Sequence, residues 1–185
     1  MPCIPWTLNA DHAKGAVGVM EAGVDVYCNQ DTASRLNLSG HRLHIIQPMR
    51  QFNVGSLTIL PFDGVHDIPV LGFLIQNKQN EKLCFIIDSA YCKYRFKNLN
   101  YILIGINYCE DILRKNIREG IIHAALGRRI MRAHYGLQAA LEFLKINTCK
   151  HTKEIHVLHT SETNADKDQI KEAIQRQTGK LVLMA

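Results

Sequence analysis

Four places in this 185-residue chain set a carboxylate or an imidazole against the boundary of an apolar run. Asp11-His12 stands just ahead of a helical pattern that begins near Ala13. His66 follows Leu60-Pro61-Phe62-Asp63-Gly64-Val65 and precedes Asp67. Asp88 ends the run Cys84 to Ile87, and His159 ends Ile155-His156-Val157-Leu158. Carboxylate and imidazole donors together suit Zn²⁺, Mn²⁺ or Fe. Polar residues placed where buried strands stop are also the usual material of sites built at a sheet's edge. Each residue alone has an ordinary explanation: a histidine at a strand end is commonly a hydrogen-bonded structural residue, and an aspartate before Ser-Ala is commonly a cap or turn. His134, in Ala133-His134-Tyr135-Gly136-Leu137, either caps the following helix or presents its ring to a site.

The elements that must hold these residues alternate. Residues 11–22 read as a helix stopped by Gly23, Val24 to Tyr27 as a short strand, and Gln30 to Leu36 as a short helix with Asn29 or Asp31 as N-cap. From residue 42 the pattern turns to strands, over 42–46, 51–54, 56–62, 70–76 and 82–88. Asn77 to Glu81 joins the last two as a hairpin. Tyr101 to Ile106 is apolar on both faces, as a buried central strand would be. Helices are expected at 110–115, 124–131, 137–145 and 166–177, the last closed by Gly179, and strands at 154–159 and 181–184. The mixed order predicts an α/β (α+β) domain in which sheets with some antiparallel pairing are covered by helices. No repeat or linker divides the chain, so residues 1–185 are expected to form a single domain.

Composition is that of an ordinary globular protein, with 46% hydrophobic and 21% charged residues and a net charge of +5. The positive balance suits anionic substrates without establishing nucleic-acid binding. Arg128, Arg129 and Arg132 form the one tight basic cluster. The six cysteines contain no CxxC and no zinc-ribbon spacing, which predicts buried free thiols in a reducing compartment. The first residues lack a basic region followed by a long apolar one, and no run reaches transmembrane length. A cytoplasmic protein with no membrane partner is expected.

The order of the motifs adds a family resemblance. Asp11-His12-Ala13-Lys14-Gly15, then Gly23-Val24-Asp25-Val26-Tyr27, resembles the segment after the second metal motif of metallo-β-lactamase-fold hydrolases. Leu60-Pro61-Phe62 through His66-Asp67 to Leu71-Gly72-Phe73 resembles the third motif. Phe85-Ile86-Ile87-Asp88-Ser89-Ala90-Tyr91 resembles the fourth, whose Asp bridges two metals, and His156-Val157-Leu158-His159-Thr160-Ser161 the fifth. The similarity covers the chain from about residue 7 onward, and is nearest to compact bacterial and phage proteins of the RNase Z-like and small-phosphodiesterase branch. It implies an αββα sandwich. The second motif, His-x-His-x-Asp-His in the family, here reads Thr7-Leu8-Asn9-Ala10-Asp11-His12. Its two leading histidines, and the opening strands that precede them in the family, are missing, so the domain is expected to be N-terminally incomplete and to lack part of its N-terminal sheet.

The resemblance assigns ligands residue by residue. Of the first metal's set, His66 and the bridging Asp88 remain; Thr7 and Asn9 are poor zinc donors. The second metal's set is complete in Asp11, His12, Asp88 and His159, which implies one Zn²⁺ or Mn²⁺ per chain. His134 corresponds to a histidine that faces the scissile phosphate in RNase Z-like relatives. His134 and Asp11 are therefore the expected catalytic groups. Two functions follow. One is a metal-dependent hydrolase of a phosphodiester, whether a nucleotide-type small molecule or a nucleic-acid end. The other is a degenerate, non-catalytic relative or truncated product that binds a partner, with a homodimer as one way to cover the exposed sheet.

Overall fold

The computed structural model describes residues 15–185. Asp11, His12, Thr7, Asn9 and the first turn of the expected N-terminal helix lie outside the described residues. The chain then runs α1 (Ala16–Glu21), β1 (Val26–Cys28), α2 (Gln30–Arg35), β2 (Leu43–Ile45), β3 (Phe52–Val54), β4 (Leu57–Asp63), β5 (Leu71–Gln76), β6 (Lys82–Ile86) and β7 (Tyr101–Gly105). The second half continues with α3 (Glu110–Arg118), α4 (Ala124–Ala133), α5 (Leu137–Asn147), β8 (Glu154–Leu158), α6 (Lys167–Thr178) and β9 (Leu181–Met184).

Local signals account for the boundaries. Asn29 caps α2 by accepting from Thr32 N–H at 2.7 Å, which satisfies a donor that the first turn would otherwise leave open. Asp166 does the same for α6, accepting from Asp168 and Gln169 N–H. Gly179 then ends α6 in the left-handed conformation, φ 63°, where a Cβ would be penalised. The β5–β6 hairpin closes through Asn77 N–H to Glu81 C=O, with Asn80 at φ 62°.

Strands β3 to β9 form one sheet in sequence order, and β1 pairs with β2 in a small parallel sheet. The large sheet is antiparallel from β3 to β6 and parallel from β6 to β9. Two antiparallel steps separate β4 from β6, so β4, β6, β7 and β8 all point the same way. Their C-terminal ends share one edge.

Alternation along the strands divides the core into two layers. Leu57, Ile59, Leu71, Phe73, Ile75 and Phe85 face the side of β1 and β2, where they meet Ile46 and Tyr27. Phe62, Cys84, Ile86, Ile102, Ile104, Ile155, Val157 and Val182 face the other side and pack under Leu137, Ala140, Phe143 and Leu144 of α5 and Ile170 and Ile174 of α6. Fully burying each such side chain contributes roughly 1.5–3 kcal/mol. Opposite Gly72, the Phe62 ring lies where a Cβ would stand, so the two residues fix how β4 and β5 meet.

Tyr101–Gly105 is central, as its composition predicts: it pairs with β6 on one side and β8 on the other. Four boundaries differ from the sequence pattern. The strand read as 82–88 ends at Ile86, and that read as 154–159 ends at Leu158, because Asp88 and His159 both take positive φ. Helix α3 runs to Arg118 rather than 115, since Leu113 and Asn116 are buried. His134 does not cap the helix after it; it is the C-cap of α4, and Gly136 is the N-cap of α5. The five cysteines among the described residues are free. Burial raises the thiols of Cys84, Cys109 and Cys28, the last to about 11. Among the described residues, no helix is long and apolar enough to cross a membrane.

Candidate metal centre

The shared edge gathers the singled-out residues. His66 follows β4, Asp88 follows β6, Asn107 follows β7 and His159 follows β8. His134 arrives from the end of α4. Asp88 is at the centre with its side chain fully buried; its Oδ1 lies 3.0 Å from His159 Nε2 and 3.6 Å from His134 Nε2. One ligand atom from each of Asp88, His134 and His159 falls within 4.8 Å of the others. The His134 ring is 5.7 Å from the His159 ring and 5.2 Å, edge-on, from the His66 ring. The structure thus brings His66, Asp88, His134 and His159 together, with His134 inside the tightest group and His66 beside it. The side chains of His134 and His159 remain 20% and 29% exposed, so one side of the cluster is open to a ligand.

Backbone conformation carries part of the placement. Asp88 (φ 52°) and His159 (φ 56°) both leave their strands in the left-handed region. Such residues cost roughly 1–3 kcal/mol each and persist where surrounding structure over-determines them. The supports are visible. Ser89 Oγ accepts from Val65 N–H at 2.8 Å and donates to Tyr91 C=O at 2.7 Å, while Ala90 N–H reaches Val65 C=O. This ties the Asp88 turn to the His66 loop. Asn107 ties the other two: its N–H meets Tyr135 C=O, its C=O accepts from Ser161 N–H, and its side-chain Nδ2 donates to His159 C=O at 3.2 Å. Ser161 closes a turn, accepting from Asn164 N–H at 3.2 Å.

Electrostatics follow burial. Desolvation lowers His66 and His134 below the usual imidazole value, partly opposed for His66 by Asp67 and Asp88, and for His134 by Asp88. His66 Nδ1 sits 2.7 Å from Asp67 Oδ1, and Asp67 Oδ2 accepts from Arg129 Nε at 2.6 Å. The hydrogen bond from Arg129 holds Asp67 below the ordinary carboxylate range. Arg129 lies on α4, so this pair links the His66 loop to the helix that ends in His134. Beside it opens a cleft of about 420 Å³ lined by Asn29, Asp31, Asp63, His66 and Asp67.

Sequence reasoning passed over Asn107 and Ser89. An Asn two residues past a buried strand and a Ser after Asp88 are both commonplace, and only the hydrogen bonds distinguish them. Arg128 and Arg132 are on the exposed side of α4.

No protein-family model matches this chain, and no curated protein does either. Solved structures match in fold. The metallo-β-lactamase fold protein YhfI from Bacillus subtilis is 14% identical, with TM-score 0.75 over 98% of this chain and 73% of its own. Igni18, a metallo hydrolase from Ignicoccus hospitalis, is 13% identical, with TM-score 0.70 over 98% and 74%. The short form of human tRNase Z is 14% identical, with TM-score 0.60 over 98% and 74%. The chain has the metallo-β-lactamase fold, and it spans about three quarters of the length of these three proteins.

Proposed function

We propose that this chain is a metal-dependent hydrolase of phosphodiesters with a single metal centre. One observation carries the reading: a buried carboxylate and two imidazoles from distant parts of the chain converge within 4.8 Å at the strand-end edge. The donor set fits a borderline cation such as Zn²⁺, or Mn²⁺. Asp88 and His159 would hold it, joined by Asp11 and His12 as the family resemblance assigns them, with His134 and His66 close enough to the cluster to face what the cation binds. A bound cation supplies Lewis acidity toward a phosphoryl oxygen and lowers the pKa of its water.

The protein's own groups do the rest. Asp88, fully buried, supplies the negative charge that makes the edge attractive to a cation. The turns at Asp88 and His159 aim both donors before any ligand arrives, so little reorganisation is needed on binding. His134 reaches the cluster from the open side. Burial favours its neutral form, in which one ring nitrogen donates and the other accepts. It is therefore suited to orient a phosphoryl oxygen and to pass a proton. Asp11 is the second expected catalytic group. A phosphodiester is preferred to other substrates on the branch resemblance, the net charge of +5 and the likeness in fold to tRNase Z.

The test is to count metal per purified chain and assay bis(p-nitrophenyl) phosphate hydrolysis with added Zn²⁺ or Mn²⁺. About one metal per chain, and loss of both metal and at least ~100-fold of the activity in Asp88→Ala, is expected. No metal and no turnover in the unaltered protein would sink this reading. It would leave the alternative of a non-catalytic binding protein, favoured by Thr7 and Asn9 standing where the family has histidines. On that alternative the exposed Leu181 and Leu183 of edge strand β9 are the surface for a homodimer, measured as doubled mass in light scattering.

A further inference from the structure

The segment that leaves the metal centre after Asp88 has a second property that the hydrolase reading does not use. Residues 91–97, Tyr-Cys-Lys-Tyr-Arg-Phe-Lys, interleave three aromatics with three cations. Through residues 91–96 the backbone has no turn or bend, and exposure alternates strictly from 91 to 97. Tyr91, Lys93, Arg95 and Lys97 face out; Cys92, Tyr94 and Phe96 face in. The inward set is anchored: Phe62 meets Tyr94 edge-on at 5.6 Å and Phe96 at 4.9 Å, and Phe96 N–H donates to Asn147 Oδ1 at 2.7 Å. The outward set is exposed. Tyr91 is 53% exposed. Lys93 pairs with Asp63 at 3.8 Å and lies over the Tyr94 ring at 5.2 Å, contacts that a phosphate would have to compete with. Arg95 and Lys97 have no ion pair among the described residues.

Geometry gives this strip a direction. Exposed residues at every second position, as in a strand-like segment, set Lys93, Arg95 and Lys97 on one side of the chain, with Lys97 in the bend that ends the segment. The row begins beside the cluster, because Ser89 and Ala90 pin the chain between Asp88 and Tyr91. A cavity of about 320 Å³ opens under it, walled by Tyr91, Lys93, Arg95, Phe143 and Ile146, with Glu142 as the one carboxylate in its lining. Tyr135, next in sequence to His134, also lines it. A largely apolar, aromatic-edged recess below a row of cations, which outnumber the single carboxylate Glu142, suits a polymer with regular phosphates and flat bases. Aromatic side chains accept any base face, and Lys or Arg follow the backbone.

We infer that residues 91–97 form the track for a single-stranded nucleic acid whose next phosphate lies at the Asp88–His134–His159 cluster, with Tyr91 stacking a base at the cavity mouth. This names a substrate class for the proposed hydrolase and rests on that reading only for what happens to the bound strand.

The test measures binding, so it is separate from catalysis. A fluorescein-labelled ten-nucleotide oligo-uridine is titrated with the full chain in EDTA, by anisotropy, across a series of salt concentrations. Lys93→Gln/Arg95→Gln/Lys97→Gln should weaken binding at least about tenfold at low salt. It should also flatten the slope of log K against log salt by about 2, the amount expected for three lost phosphate contacts on a single strand. Tyr91→Ala should weaken binding about fivefold or more with little change in slope. All four side chains are exposed, and unchanged melting temperatures verify that the variants fold. Three results overturn the inference: unaltered affinity and slope in the triple variant; loss of binding confined to Arg128→Gln/Arg132→Gln on α4; or attachment through these residues to phosphatidylserine vesicles but not to the oligonucleotide. A chain that binds the strand through the track yet hydrolyses no phosphodiester refutes the hydrolase and leaves the track standing.

Discussion

Replacing Asn107 by Ala separates the support of the site from its ligands. Asn107 acts through backbone: its Nδ2 holds the carbonyl of His159, the residue whose φ is 56°. Ala removes that donor and keeps the backbone bonds to Tyr135 and Ser161. A net hydrogen bond contributes about 1 kcal/mol, and an acceptor left without its partner adds to the loss. The expected cost is therefore ~1–2 kcal/mol, a fall in melting temperature of roughly 3–6 °C for a chain of this length. The residual strain at His159 should then relax the turn, moving one donor of the cluster. Zinc affinity, by competition with a chromophoric chelator, should drop about tenfold, the lower end for residues that orient metal ligands. Urea denaturation in EDTA reads the stability term alone. A variant with lowered stability but unchanged zinc affinity would show that the turn at His159 does not depend on this hydrogen bond, and the account of the site's support would fail.

Three other outcomes follow from the described contacts. Burial holds His66 and His134 below their ordinary value of about 6.5. As pH falls, the unfolded chain takes up those protons first, so the stability linked to their neutral forms is complete above about pH 6.5 and lost as pH drops through the lowered values. The metal-free protein should melt at a lower temperature at pH 5 than at pH 7.5, and His66→Gln/His134→Gln should flatten that dependence; an equal dependence in the double variant contradicts it. Gly72→Ala would push a Cβ into the buried Phe62 ring and should cost ~1–3 kcal/mol of overpacking in urea denaturation. Asp166→Ala removes the acceptor for two N–H groups at the start of α6 and should cost about 1 kcal/mol by the same assay.

Much of this architecture is legible in the residues. The runs around Ile59, Phe73, Cys84 and Ile104 alternate or stay apolar as buried strands must, and Asn29, Asn80 and Gly179 mark ends through side-chain or backbone chemistry that acts locally. The motif order at His66, Asp88 and His159 indicated which strand ends would meet. What local patterns do not carry is the exit angle of those ends. Positive φ at Asp88 and His159 is supported by hydrogen bonds between residues far apart in sequence: Val65 N–H to Ser89 Oγ, Ala90 N–H to Val65 C=O, and Asn107 Nδ2 to His159 C=O. The role of α4 was hidden for the same reason: its place beside the cluster depends on Arg129 reaching Asp67 and on His134 ending one helix rather than starting the next. The 91–97 alternation is visible in sequence, but its meaning required knowing that Tyr94 and Phe96 have Phe62 to pack on.

The edge shared by β4, β6, β7 and β8 also bears on how the protein folds. Its contributors come from well-separated stretches of chain, and each stretch is positioned by pairing that spans the sheet. No fragment holding only the hairpin or only the last βαβ unit can assemble Asp88 with His159. Closing loops of that length precedes any reward from the contacts they bring together. If the proposed centre takes up a metal, recovery of that binding during refolding should therefore coincide with the final cooperative step rather than with an early partly folded state. A cation bound only to the finished edge stabilises the whole fold in proportion to the logarithm of its concentration, so metal affinity would report on whether the entire domain is intact.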